Sequence, residues 1–238
     1  MIYCDVMRSL RGLFWLLAII SVISCGKSKN DEAKENSSNE KNSTEQNDDQ
    51  TSGSEDSKVI LFFGDSLTAG YGLDSSEAYP ALIQQRLDSL GYDYQVVNAG
   101  LSGDTTASGK GRIDWILKQD IDIFVLELGA NDGLRGIPLS ETRQNLQDII
   151  EAVKQNDAAT KIIIAGMQIP PNMGPEYTAE FKNIFPELSE KYNIELIPFL
   201  LEGVAGNPEL NQYDGIHPTA KGYEIVTDNV WEVLKTQL

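Results

Sequence analysis

Histidine is almost missing from this chain: His217 is the only one in 238 residues. Cysteine is nearly as scarce, and both copies, Cys4 and Cys25, precede residue 26. The body of the protein therefore has no disulfide, no thiol nucleophile and no cysteine-based metal site. One histidine without a cysteine partner argues against zinc, and neither a metal nor a cofactor is expected. Positive charge is also short, with 19 Lys and Arg against 36 Asp and Glu, for a formal net charge of −17. Residues 58–238 carry 13 basic and 26 acidic side chains. An acidic body of this kind argues against nucleic acid as a partner. No apolar run is long enough to span a bilayer, since the longest, Leu13–Ile23, has eleven residues and is broken by Ser21.

What that run does suit is the core of a secretory leader, because Arg8 and Arg11 stand just before it. It ends Val22-Ile23-Ser24-Cys25, and this aliphatic–aliphatic–small–cysteine ending resembles the lipobox of bacterial lipoproteins. The resemblance implies cleavage before Cys25 and lipidation of its thiol. Anchoring in the cell envelope would follow, since each buried CH₂ adds about 0.8 kcal/mol of membrane affinity. An ordinary leader with a chance cysteine is the competing reading. Residues 26–57 contain one apolar side chain, Ala33, among Asn, Ser, Glu, Asp and Lys. Such a stretch cannot bury enough surface to offset its ordering entropy, and is expected to be a disordered tether with a reach of roughly 30 Å.

From Lys58 the pattern alternates between short apolar runs and amphipathic segments. Val59–Phe63, Tyr94–Val97, Ile121–Leu128, Lys161–Ala165 and Ile194–Ile197 read as strands. Helices are expected near Glu77–Leu90, Ala107–Lys118, Ser140–Gln155 (with Ser140 as cap), Thr178–Tyr192 and Ala220–Leu234. Met167–Tyr177, with three prolines and a glycine, reads as a loop. Alternation with right-handed crossovers predicts a three-layer α/β/α sandwich on a parallel sheet, and there is no internal repeat.

Three polar clusters follow three different strands of that sheet: Gly64-Asp65-Ser66-Leu67, Ser102-Gly103-Asp104 and Gly129-Ala130-Asn131-Asp132-Gly133. They therefore open onto one edge, where open α/β sheets place ligands. Ser66 is a candidate nucleophile there, although Asp65 or Ser66 could equally be a helix cap. A serine needs a base, and His217 is the only side chain whose ordinary titration lies near neutrality. Asp214 stands three residues before it, close enough to hold the ring by Nδ1 and leave Nε2 for the serine. A glycine N–H at Gly103 and the Asn131 amide could serve a developing oxyanion, though each is also ordinary turn chemistry.

Gly64-Asp65-Ser66-Leu67, Gly103, Gly129-x-Asn131-Asp132 and Asp214-x-x-His217 resemble, in order, the four blocks of the SGNH (GDSL) hydrolases. Within that family GDSLTAGYG, SGDTT, LELGANDGLRG, MQIPPNMGPEY and YDGIHP are most similar to the bacterial thioesterase I/protease I/lysophospholipase L1 and arylesterase subgroup. The resemblance covers residues 58–238 and implies a five-stranded parallel sheet of flavodoxin-like type. It implies Ser66 as nucleophile, His217 as base, Asp214 as its orienter, and an oxyanion hole from the Ser66 and Gly103 N–H groups and the Asn131 side chain. In the 167–177 loop, Met167, Ile169, Pro170 and Tyr177 would meet an acyl chain, or else simply pack. An α/β-hydrolase elbow, G-x-S-x-G, fits poorly because Thr68 stands where its last glycine belongs.

The expectation is therefore a serine esterase acting on acyl esters or thioesters, monomeric and tied to a membrane through its lipid anchor. A carbohydrate O-deacetylase of the same fold is the first rival. The second is a non-catalytic binding lipoprotein, which would be expected to lose Ser66, His217 or Asn131.

Overall fold

The computed structural model describes residues 57–238. The leader with Cys25 and the polar stretch through residue 56 lie outside the described residues. Five strands form one parallel sheet: β1 (Lys58–Gly64), β2 (Tyr94–Gly100), β3 (Ile123–Glu127), β4 (Lys161–Ala165) and β5 (Glu195–Ile197). Their order is β2-β1-β3-β4-β5. This is the flavodoxin-like winding, in which the chain leaves β1 in one direction and returns for β3 on its other side. The crevice at the carboxyl ends of β1 and β3 is thus the topological switch point.

Among the described residues seven α-helices accompany the sheet: α1 (Ser66–Ala69), α2 (Tyr79–Leu90), α3 (Thr106–Ile116), α4 (Ala130–Arg135), α5 (Leu139–Asn156), α6 (Pro175–Tyr192) and α7 (Ala220–Leu234). The pair α2 and α7 forms one layer, and α3, α5 and α6 form the other. The inner positions of the central strands, Ile60–Phe63 and Ile123–Leu126, are apolar because both faces are covered. Ile60, Leu61, Phe62 and Phe63 of β1 have no accessible surface, and Phe124 and Leu126 of β3 have none. Helix α5 turns Leu139, Leu146, Ile149, Ile150 and Val153 into the core at helical spacing. No helix among the described residues is long and apolar enough to cross a membrane.

Three local expectations are corrected. The cluster after β3 is not only a turn: Ala130–Arg135 forms a short helix between two left-handed glycines, Gly129 and Gly136. Glycine-rich, polar composition hides such a helix from pattern reading. Ser140 does not cap α5, which starts one residue earlier with Pro138 at the cap position and no side-chain bond to the helix. Finally, α6 begins at Pro175, not at Thr178. A proline in the first helical position carries a preset φ and lacks only a donor that would be unpaired there.

Candidate active site

Strand β1 delivers its residues to the switch point through Gly64. A Cβ here would meet the Thr68 Oγ1 at 2.0 Å and the Glu127 Oε2 at 2.5 Å, so only glycine fits. Asp65 then caps α1, its Oδ1 accepting the Leu67 N–H at 3.0 Å. Ser66 is the first residue of that one-turn helix and is 8% exposed. The cap is Asp65, and Ser66, the candidate nucleophile, is its neighbour and is left free of the capping role.

The partner loop folds around a single carboxylate. Asp214 Oδ1 accepts the backbone N–H of Ile216 at 3.0 Å and of His217 at 3.1 Å. Its Oδ2 meets His217 Nδ1 at 2.7 Å, and His217 Nε2 meets Ser66 Oγ at 2.8 Å. Gly215, at φ 76°, provides the left-handed step the turn needs. Gln212 fastens the loop, donating through Nε2 to the carbonyls of Tyr71 and Pro218. The Tyr71 ring lies against the His217 imidazole with centroids 4.6 Å apart. Residues 151 positions apart in sequence are in this way joined into one hydrogen-bonded chain.

Gly103 sits in the turn after β2, where the Asp104 N–H donates to the Leu101 carbonyl. Its φ of 86° is the one the third residue of a type II turn requires. Arg135 of α4 reaches across and donates to the Gly103 carbonyl at 3.1 Å. Asn131, in the first turn of α4, donates from Nδ2 to Asp65 Oδ2 and to the Asp104 carbonyl, both at 3.0 Å. Both of its amide hydrogens are therefore engaged, so the residue is a fixed strut as well as a donor. Asp104 is in turn paired with Arg112 at 2.7 Å, and the same guanidinium donates to the Gly64 carbonyl and lies 3.9 Å over the Phe63 ring. Asp132 holds the start of α3 by accepting the Thr106 N–H at 2.8 Å.

The two aspartates differ in electrostatics. Burial raises the Asp65 carboxyl to about 6, against lowering bonds from Leu67 and Asn131. Asp214 has the reverse balance: burial works to raise it, but the bonds from the His217 ring and the Ile216 and His217 N–H groups outweigh this and lower it. Behind Asp65 lies Glu127, wholly buried, whose carboxyl is pushed well above its ordinary value by that burial.

A cavity of about 610 Å³ opens at Ser66 and His217. Met167, Ile169 and Pro170 line it, as the sequence suggested, together with Leu134, Phe199 and Ile216. Tyr177 does not line it. Its place inside α6 turns the ring into the fold, where its hydroxyl donates to the Ile137 carbonyl at 2.8 Å. No cluster of side chains able to hold a metal ion occurs among the described residues.

The sequence profile of the GDSL-like lipase/acylhydrolase family matches residues 62–225. The chain belongs to this family. Esterase TesA of Pseudomonas aeruginosa is 41% identical over 182 residues, or 76% of this chain and 90% of that esterase. The Escherichia coli protein named thioesterase 1/protease 1/lysophospholipase L1 is 39% identical over 171 residues, covering 71% of this chain and 80% of its own. The crystal structure of TesA superposes with a TM-score of 0.73 at 40% identity, over 76% of this chain and all of that one. This GDSL hydrolase is accordingly an esterase of the SGNH fold, and a non-catalytic binding role is set aside.

Proposed function

We propose that this GDSL hydrolase is a serine esterase that cleaves acyl esters or thioesters through an acyl-enzyme on Ser66. The observation that carries the reading is the unbroken chain Ser66–His217–Asp214, with links of 2.8 and 2.7 Å. His217 Nε2 takes the Ser66 proton as Oγ attacks the acyl carbon, and then passes that proton to the leaving oxygen or sulfur. Water, activated by the same imidazole, releases the acid and restores the serine. Asp214 fixes the tautomer, since its carboxylate can only accept from Nδ1–H. The oxyanion would be met by the N–H groups of Ser66 and Gly103, neither of which donates to another backbone or side-chain group among the described residues. Asn131 would be the third donor, sharing one of the hydrogens now bonded to Asp65 and Asp104.

An apolar cavity of this size favours an acyl chain over an acetylated sugar, because burying methylenes contributes about 0.8 kcal/mol each. The test is a p-nitrophenyl ester series from about C2 to C16, run beside acyl-CoA and acetylated xylan. Rising kcat/KM with chain length supports the acyl reading; a preference for acetate and release from xylan would favour the deacetylase instead. We further propose that Cys25 carries a lipid anchor that holds the enzyme in the cell envelope. Radioactive palmitate that labels the protein but not Cys25→Ser supports the anchor, and equal labelling of both would refute it.

A further inference from the structure

Glu127 ends β3 directly behind the candidate site, and the proposed chemistry gives it no task. In the sheet it stands opposite Gly64, the residue before Asp65. Its Oε2 accepts two hydrogen bonds, from the Asp65 N–H at 3.1 Å and from Thr68 Oγ1 at 2.8 Å. Thr68 in turn meets the Tyr79 hydroxyl at 2.8 Å. The other oxygen, Oε1, is buried and has nothing to accept. Gly64 leaves the space that this carboxyl and Thr68 fill. The group is thus built into the floor of the site, yet half of it has no partner as long as it is a carboxylate.

A carboxyl group can escape that position by keeping its proton, which turns an acceptor into a donor. The neighbour that gains from such a donor is the Asp65 carboxylate, whose charge a bond from the Glu127 side chain favours. Of the pair, Asp65 is the better place for the charge. It receives the Leu67 N–H and the Asn131 amide, and His217 lies on its side. Glu127 receives the Asp65 N–H and the Thr68 hydroxyl, which favour its charge, but its complete burial and the Asp65 carboxylate outweigh them. The other titratable groups facing it, Tyr79 of α2 and Tyr223 of α7, are neutral phenols that offer no positive charge. Arg112, which reaches this floor at Gly64, is spent on Asp104 and the Gly64 carbonyl. Two buried carboxyls this close cannot both ionise at low cost, and one proton settles the conflict.

We propose that Glu127 works as a neutral positioning acid, keeping a proton on Oε1 that it donates to Asp65, so that Asp65 holds the Asn131 amide and α1 with a single fixed charge. Glu127 touches no substrate and acts through Asp65. The chain runs Glu127, Asp65, Asn131, so the buried acid sets the orientation of the third oxyanion donor. This catalytic consequence rests on the triad reading; the protonation state does not.

The first measurement needs no substrate. In protein labelled with ¹³C at the glutamate side-chain carboxyls, the Glu127 resonance is the one absent from Glu127→Gln. It should hold the position of a protonated acid at neutral pH while the exposed glutamates show the ionised position. An ionised Glu127 at neutral pH overturns the proposal even if Ser66 proves to be the nucleophile. The second measurement is kinetic. Glu127→Gln keeps a donor and an acceptor of the same shape, and should hold kcat within about three-fold, whereas Glu127→Met supplies neither and should lose roughly ten- to a hundred-fold in kcat with KM nearly unchanged. A folded Glu127→Gln that is as inactive as Glu127→Met refutes the neutral donor. A fully active Glu127→Met refutes the positioning role. The third is stability: the melting temperature of Glu127→Gln relative to the parent should climb as pH rises from 5 to 9, because the parent alone carries an acid that its fold keeps from ionising. A constant gap across that range contradicts the proposal.

Discussion

Asp65 and Asp214 stand at opposite ends of the Ser66–His217 hydrogen bond, one residue before the serine and three before the histidine. Asp65 belongs to the sheet edge. It is wholly buried, caps a helix and anchors Asn131, and its carboxyl is raised to about 6 by burial. Asp214 belongs to a loop, with 38% of its side chain exposed, and three hydrogen bonds lower its carboxyl despite what burial it has. The same side chain is therefore made a reluctant anion in one region and a willing one in the other. The buried floor fixes where Ser66 and the proposed oxyanion donors stand, while the loop fixes which nitrogen of a single imidazole faces them. The site is the junction of a buried floor and a loop held by bonds within its own turn, by Gln212 to the Tyr71 carbonyl and by His217 to Ser66.

Each half can be broken separately. The largest effect is expected in the floor: Ser66→Ala should lower kcat by about 10⁶-fold without shifting the melting temperature appreciably, as removing a triad nucleophile does. Near-normal turnover in a folded Ser66→Ala protein would end the serine mechanism. In the loop, Asp214→Asn should cost about 10⁴-fold, because an amide in place of the carboxylate favours the wrong imidazole tautomer. If the loss were ten-fold or less, the loop would not be selecting the tautomer. Asn131→Ala should cost about 10² to 10³-fold in kcat with KM little changed, since an oxyanion donor acts on the transition state. A loss that appeared mainly in KM would make Asn131 a binding or framework residue.

The smallest expected effects are in stability, and they should have opposite signs. Asp65 has a folded value above the unfolded one of about 3.9, so its contribution is full below that value and is lost as pH rises toward 6. Asp214 has a lowered value, so its contribution is present above about pH 4 and is lost as pH falls below it. The melting temperature of the parent relative to Asp65→Asn should fall as pH goes from about 4 to 6, while relative to Asp214→Asn it should fall only on acidification below about 4. Parallel curves for the two variants would erase the distinction between the halves.

The sequence and the structure agree best where a local signal is strong. Val59–Phe63 reads as a strand buried on both faces and lies within β1, and Ala220–Leu234 was expected as a helix with the bounds the structure has. The lone histidine with Asp214 three residues before it predicted a contact with Ser66 across 151 positions. What was not legible is the polar scaffolding under these residues. Asp65 could be read as a cap, but its grip on Asn131 joins β1 to α4, and no periodicity reports such a bond. Arg112 and Arg135, which brace the turns around Gly64 and Gly103, look in sequence like any solvated charge. Glu127 did leave a trace: it is the one carboxylate in Ile123–Leu128, set between Leu126 and Leu128 at a place where burial was already expected. Tyr177 misled for the opposite reason, because a proline-rich stretch reads as loop up to its end, while Pro175 in fact starts the helix.

Ser66 Oγ is proposed as the atom that receives the acyl group, with His217 as its base. A phosphonate ester that mimics the tetrahedral intermediate tests it directly, with the adduct located by peptide mass. One adduct per chain on Ser66 is expected, formed in step with the loss of esterase activity, and absent from Ser66→Ala. Complete inactivation with Ser66 unmodified, or an adduct at another residue that persists in Ser66→Ala, would contradict the account.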